Sequence, residues 1–337
     1  MEKLEPVASP RRKPRWYLYF TIILAAALLV LALRGVSWKE MVVTIRSIRT
    51  EYLLIMFSIT SISIFTRGVR WGILLSAERK IPLLTMFWAT SAGYLGNNFL
   101  PARAGEVIRS VALGRKANIS MSYVLATALT ERIMDVLILV LISLLTLPTL
   151  GEIPGWLPGA TRLMAVLGVG AVAVLIFAPF LAPILHKIVG WLPVKQGLKE
   201  RLNGLLEQFL RGTQAFLHPA RAGGFLLLSV VIWLLDGANA MIAAHSFNLS
   251  LSLPQAMLYL AGLGLGSAVP STPGYLGIYQ FVATTILPAF GFTRSQALTY
   301  VLTAQAIGVL AITVWGLIGL WRLGGRKMVN SQDIHQM

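Results

Sequence analysis

The sequence predicts an all-α polytopic membrane protein, with about six transmembrane helices plus two re-entrant helical hairpins arranged as an inverted repeat. Three observations predict it. The 337 residues are 56% hydrophobic and only 12% charged, with a mean hydropathy of +0.73. Soluble domains carry roughly 25% charged residues, so this chain could not cover its surface with polar groups in water. Second, two distant stretches are built alike: IPLLTMFWATSAGYLGNNFLPARAGE at 81–106 and LPQAMLYLAGLGLGSAVPSTPGYLG at 253–277. Each opens on a proline, runs through small residues, breaks at Pro-x-x-x-Gly and is followed by a run containing Tyr-Val-Leu (Tyr123–Leu125, Tyr300–Leu302). Third, the basic residues are unevenly partitioned between the loops.

The elements follow in order. A basic N-terminus, 1–16, precedes an apolar run at 17–33, which is long for a signal sequence and reads as an uncleaved anchor. A helix needs about 20 apolar residues to span the hydrocarbon core, and 17–33, 52–77, 122–147, 162–185, 223–247 and 295–321 qualify. The two duplicated stretches are broken near their middles by Pro101 and Gly105, and by Pro270, Pro273 and Gly274, so they read as hairpins that return to the side they entered. Pro273 is expected to start the second hairpin's descending helix. Two amphipathic segments remain as interfacial helices: 195–217, with Leu198, Leu202, Leu205, Phe209 and Phe216 on one face, and a shorter one at 38–48. The single membrane domain covers 17–322, with repeat 1 at about 52–147, repeat 2 at about 223–321, a link at 162–217 and a tail at 323–337.

With a cytoplasmic N-terminus and re-entrant hairpins, 22 of the 29 lysines and arginines fall on the inner side, 6 fall outside, and Arg132 lies within a span. Cytoplasmic loops of membrane proteins carry such an excess. The reading places both termini on the cytoplasmic side of the plasma membrane, the first hairpin on the inner face and the second on the outer. It also accounts for the net charge of +16 through loop bias and anionic headgroups rather than nucleic acid.

Paired, Gly/Pro-interrupted apolar segments point to a transporter's central site, and the polar residues near them are the candidates for it. At the first break these are Asn97, Asn98, Arg103, Glu106 and Arg109. The helix after the break aims its N-terminus there, which suits an anion, and arginines can add bidentate phosphate contacts. The alternative is a cytoplasmic loop with snorkelling arginines. Glu131, Arg132 and Asp135 fall near the bilayer midplane, where ionisable groups are costly unless paired or hydrated; the alternative is a structural ion-pair cluster. Asp236 and Asn239 sit mid-way along 223–247, with Arg132 as the expected partner of Asp236. The second break offers Ser271 and Thr272, and Tyr279 and Gln280 are expected to face a cavity or a neighbour. Arg67-Gly-Val-Arg70-Trp71 reads as an interfacial anchor at the end of its span.

No HExxH, GxSxG or P-loop occurs, the four histidines are scattered and there is no cysteine. Metal, cofactor and nucleotide-driven chemistry are therefore not expected.

The ordered motifs R-G-x-R-W (from Arg67), N-x-x-L-P-x-R-x-G-E-x-x-R (through Arg109), E-R-x-x-D (Glu131 to Asp135) and P-x-T-P-G-x-L-G (from Pro270) resemble the lysylphosphatidylglycerol synthase transmembrane region family, also called flippase-like or UPF0104, over about 67–321. In two-domain members the membrane part moves aminoacylated phosphatidylglycerol between leaflets while a soluble domain attaches the amino acid. The sequence ends soon after Trp321, so aminoacyl transfer is not implied. The resemblance supports Arg103, Glu106, Arg109, Glu131, Arg132 and Asp135 as site residues; a family Glu is expected near Tyr279-Gln280, where this sequence has none. The expected function is translocation of an anionic or zwitterionic lipid, phospholipid or polyprenyl-linked. The expected partners are membrane lipids and a separately encoded lipid-modifying enzyme. The alternatives are a lipid-dependent transferase with Glu106 or Asp135 as general base, and a non-transporting partner subunit of such an enzyme.

Overall fold

A computed structural model describes residues 16–100, 104–146, 196–213, 218–268 and 273–324, with scattered positions between 155 and 191. Every regular element among them is helical: α1 (Trp16–Leu33), α2 (Trp38–Arg46), α3 (Thr50–Leu75), α4 (Leu83–Phe99), α5 (Gly105–Ala117), α6 (Met121–Thr146), α7 (Gln196–Thr213), α8 (Pro219–His245), α9 (Leu253–Ala268), a 3-10 turn (Pro273–Tyr275), α10 (Ile278–Ile286), a second 3-10 turn (Leu287–Phe290) and α11 (Arg294–Gly324). This is the fold class the composition demands, because lipid offers backbone groups no outside partner.

By length and composition α3, α8 and α11 can each cross a membrane, and the consecutive pair α1–α2, bent by 83°, can form one more broken span. The 26-residue α6 is long enough as well, but carries Glu131, Arg132 and Asp135. Most of the expected span at 162–185 lies outside the described residues. The shorter amphipathic segment forms α2, opened by Ser37, whose hydroxyl accepts from the Glu40 amide at 3.3 Å. It buries Met41 and Thr44 and packs against α11. The longer amphipathic segment forms α7, which packs on α6.

Both duplicated stretches are helix–break–helix units whose arms pack together, α4 on α5 and α9 on α10. Their breaks depend on glycine in different ways. A β-carbon on Gly105 would sit 1.8 Å from the Gly93 carbonyl oxygen and 2.6 Å from the Asn97 amide nitrogen, so only glycine lets α5 lie this close to α4. Gly277 has φ +87, and a β-carbon there would meet the Ala25 carbonyl oxygen of α1 at 2.3 Å. Pro273 does not start the descending helix as expected. It opens the 3-10 turn, and α10 begins only at Ile278, after Gly277. The left-handed backbone at Gly274, Tyr275 and Gly277 prevents a continuous helix from Pro273.

Two buried apolar clusters cap the bundle. One gathers Met56 of α3, Ala243 and Phe247, Tyr259, Phe292 and Tyr300. The other gathers Trp71, Leu74 and Leu75 of α3, Met86, Leu113, Tyr123 and Phe225. They occupy opposite ends of α3 and of α8. A matching hydrogen bond marks each. Tyr123 donates its hydroxyl to the Leu74 carbonyl of α3 at 3.3 Å, and Tyr300 donates to the Ala240 carbonyl of α8 at 2.9 Å. The two Tyr-Val-Leu signatures thus make the same contact with the long helix that opens their own half. Between the clusters, at mid-height, lies the polar interior.

Candidate functional site

The interior is organised along the α3–α8 seam. Thr60, Ser63, Arg67 and Arg70 recur on one face of α3, and each meets α8. Asn239 donates to the Thr60 hydroxyl at 3.3 Å. Ser63 donates to Asp236 at 2.7 Å, and Arg67 forms an ion pair with the same carboxylate. Arg70 donates to Ser229 at 3.1 Å. The pairing order is antiparallel, and it forms a polar track from Thr60 to Arg70, about 15 Å of helix, inside an otherwise apolar pair. The partner of Asp236 is therefore Arg67 and not Arg132, as the sequence led us to expect.

Arg70 is fully buried and holds Glu131 at 2.8 Å and Asp135 at 2.6 Å. Trp71 is equally buried, donating from Nε1 to Thr127 at 3.1 Å. The R-G-x-R-W motif is thus not an interfacial anchor. The snorkelling reading fails because α3 continues through Leu75, so both side chains fall inside the bundle where α6 presents its carboxylates. Arg109, expected to reach for phosphate, is also buried; it pairs with Glu106 at 2.6 Å and Glu131 at 2.9 Å. Its guanidinium lies 4.4 Å from the Trp71 ring centroid. Arg132 pairs with Glu106 at 3.1 Å and with Asp135 at 3.5 Å. Arg70, Arg109 and Arg132 thus alternate with Glu106, Glu131 and Asp135 in a closed ring of ion pairs, and Arg67 with Asp236 is a separate pair beside it. The four cations and four anions of this network balance. Buried charges persist when each has such partners. Three cations that the loop partition assigned to the inner face, Arg67, Arg70 and Arg109, belong to this network, so the loop bias rests on the others.

Next to the network is a cavity of about 460 Å³. Of the expected site residues it brings together Asn97, Asn98, Glu106, Arg132, Asp135, Asp236, Asn239, Gly274 and Tyr279. Arg109 and Glu131 stand behind this wall and do not line it. Arg103, Ser271, Thr272, Pro101 and Pro270 lie outside the described residues. The hairpin breaks converge here: a β-carbon on Gly274 would lie 3.7 Å from the Asn98 carbonyl oxygen. Gln280 faces a neighbour, accepting from the Gly277 amide at 2.7 Å and donating to Gln305 at 2.7 Å; Gln305 in turn donates to the Gly274 carbonyl. These amides fix the second break. Sequence reading missed Thr60, Ser63, Arg67, Tyr94, Trp233 and Gln305 as lining residues.

The two sides of the cavity differ. Its charged residues, Arg67, Glu106, Arg132, Asp135 and Asp236, come from α3, α5, α6 and α8. The side from α9, the 3-10 turn, α10 and α11 has no charge and includes Leu260, Gly264, Tyr275, Val301, Val309 and Ile312. With Tyr123 set against Tyr300, the positions of Glu131, Arg132 and Asp135 correspond to Gly308, Val309 and Ile312. The acidic and basic triplet of one half is thus apolar in the other.

Comparison with known proteins agrees with this architecture. The family model for the lysylphosphatidylglycerol synthase TM region matches residues 18–316. The chain belongs to that family. The match extends past the motif-bearing stretch to include α1 and α2. An integral membrane protein follows from the family together with the apolar helices. A UPF0104 membrane protein of Methanothermobacter thermautotrophicus is 23% identical over 75% of this chain and 77% of its own length. One from Pyrococcus horikoshii is 23% identical over 94% of this chain and 99% of its own length. Glycosyltransferase AglD of Haloferax volcanii is 25% identical over 75% of this chain, but the match takes in only 46% of that protein.

Proposed function

We propose that this chain is a lipid translocase that passes a phospholipid or polyprenyl-linked headgroup between leaflets through the cavity while the tails stay in lipid. The single observation that carries the reading is the cavity's two-sidedness. A charged wall faces an uncharged one, where Leu260, Val301, Val309 and Ile312 stand with Tyr275, Tyr279 and Gln305, which matches an amphiphile better than a fully hydrated solute. The mid-height position of the polar track, between two sealed apolar clusters, supports alternating exposure to either face. The duplicated hairpins supply the two gates, as an inverted repeat with its axis in the membrane plane. The alternative of a transferase using Glu106 or Asp135 as base is less favoured. Glu106 is shared by Arg109 and Arg132, and Asp135 by Arg70 and Arg132, so neither is free to accept a proton from a substrate. The match to the named glycosyltransferase takes in only 46% of that protein, so its activity is not carried over to this chain.

Purified protein in liposomes should raise the dithionite-bleached fraction of a labelled phospholipid from about half, the outer leaflet alone, towards completion. Bleaching identical to protein-free vesicles defeats the proposal. Arg132→Gln, at unchanged folded yield, is expected to slow flipping at least tenfold, about 1.4 kcal/mol of transition-state stabilisation. A wild-type rate would remove Arg132 from the path.

Orientation belongs to the same proposal. Arg79, just past the end of α3, donates to the Ala117 carbonyl at 2.5 Å, and the Arg49 amide at the start of α3 donates to the Ser246 carbonyl at 2.9 Å. Lys116 and Ser250 are therefore at opposite ends of a 26-residue helix, about 39 Å long. With both termini cytoplasmic in the plasma membrane, Lys116→Cys is labelled from the cytoplasmic side only and Ser250→Cys from outside only. The native chain contains no cysteine to interfere. Labelling of both from one side contradicts the orientation.

A further inference from the structure

We infer that the headgroup accepted here is an uncharged polyhydroxyl ring joined to its lipid through a single phosphate. The inference rests on reading the cavity as a headgroup site and goes further by naming the headgroup's chemistry. Its starting point is charge. Four arginines and four carboxylates already neutralise one another. A headgroup with several charges, whether a diphosphate or a dicationic aminoacyl group, would have to break these pairs. Such pairs are costly to separate when buried.

What remains for a ligand is of another kind. Among the described residues, four buried lining atoms have neither a hydrogen-bond nor an ion-pair partner: Nη2 of Arg132, Nε1 of Trp233, Oδ1 of Asn97 and Oδ1 of Asn239. A buried polar atom left unpaired is costly, so these atoms mark where a ligand gains most. One guanidinium nitrogen suits one phosphate oxygen. One indole N–H and two amide carbonyls suit hydroxyl groups, which both donate and accept. The rest of the lining fits the same ligand. Tyr275 and Tyr279 stack with centroids 4.9 Å apart and planes 8° from parallel, and Tyr94 lies under the Arg132 guanidinium at 5.8 Å. Flat aromatic faces with nearby amides receive the C–H face of a sugar or cyclitol and its hydroxyl edge, because the ring has an apolar face and a polar rim as the aromatic residues do.

Two lipid classes carry this headgroup: a polyprenyl phosphoryl-hexose and a diacyl lipid bearing a cyclitol phosphate. The test measures displacement of a fluorescent short-chain polyprenyl phosphoryl-hexose from the purified full chain in detergent. Unlabelled polyprenyl phosphoryl-hexose or phosphatidylinositol should compete at about tenfold lower concentration than polyprenyl phosphate or lysyl-phosphatidylglycerol, the equivalent of about one buried hydrogen bond. The stronger of the first two identifies the lipid class. Trp233→Phe and Asn239→Leu should each lower binding of the hexose lipid by more than they lower binding of polyprenyl phosphate, so that most of the tenfold advantage is lost; an equal drop for both lipids also overturns the inference. Equal competition by polyprenyl phosphate, tighter binding of the lysyl lipid, or no binding of the probe overturns the inference. Sugar-selective binding without flipping in liposomes keeps the inference and defeats translocation. Flipping without that selectivity does the reverse.

Discussion

Arg70→Met will leave little folded protein. Arg70 is the common partner of Glu131 and Asp135 in the driest part of the bundle, and its guanidinium also lies 4.9 Å from the Phe225 ring centroid. Methionine fills much of the volume but strands the carboxylates: Glu131 keeps only Arg109, and Asp135 only Arg132 at 3.5 Å. Removing one member of a buried pair costs about 3–5 kcal/mol, a large share of the roughly 5–15 kcal/mol by which a folded domain is stable. The readout is the monodisperse fraction on size exclusion after detergent extraction, with the melting temperature of whatever remains. Adding Asp135→Asn to Arg70→Met returns the network to three cations and three anions, and should recover a substantial part of the yield. A single mutant with wild-type yield and melting temperature would show that the network is hydrated rather than buried. Failure of the double mutant to exceed the single one would show that packing, not charge, makes Arg70 indispensable.

Gly105→Ala is expected to be the most damaging of the smallest possible changes. One methyl group would stand 1.8 Å from the Gly93 carbonyl oxygen, far inside contact distance, and backbone cannot move aside as a side chain can. The α4–α5 hairpin must open, and Glu106, next in sequence, then loses its registry with Arg109 and Arg132. Overpacking costs about 1–3 kcal/mol when the surroundings can relax; here the obstacle is backbone, so we expect at least the upper end. Loss of transport and a melting temperature lowered by several degrees would be the signature. Gly308→Ala serves as control, because its added β-carbon meets nothing within 4 Å; it should fold as wild type. If Gly105→Ala folds and transports normally, the close approach of the two arms is not a requirement of the fold.

The seam between α3 and α8 shows how far the sequence could be read. Thr60, Ser63, Arg67 and Arg70 are spaced three and four apart, the period of one helix face. That face was legible, and its polarity within an apolar run was a signal for an interior track. It was passed over because arginine and tryptophan at the end of a span usually mark the interface. What overruled that expectation was length: α3 carries on to Leu75 and takes both residues inside. Asp236 was recognised as needing a cation, yet the choice between Arg67 and Arg132 depended on which helix α8 lies beside. Pattern within one segment carries no information about its neighbour. Glu106, Arg132, Asp135 and Asn239 were found because ionisable or amide groups in apolar runs are conspicuous. Tyr94, Trp233 and Gln305 were missed because an isolated aromatic or amide residue in a helix has many ordinary roles.

Composition alone settled that this chain lives in lipid. Too few charges are present to coat a water-soluble surface, and a backbone in hydrocarbon must satisfy itself within helices. The repeated Pro-x-x-x-Gly stretches fixed where those helices must break, since proline withholds a donor and glycine admits backbone angles and approaches that other residues forbid. Tertiary structure decided which ionisable groups face the cavity and which stand behind it. Glu131 and Arg132 point about 100° apart on α6, and Glu106 and Arg109 about 60° apart on α5; which of those directions meets the cavity is set by what packs on the other side. Coulomb pairing acts across space rather than along the chain, so four arginines and four carboxylates drawn from α3, α5, α6 and α8 acquire their partners only when those helices meet.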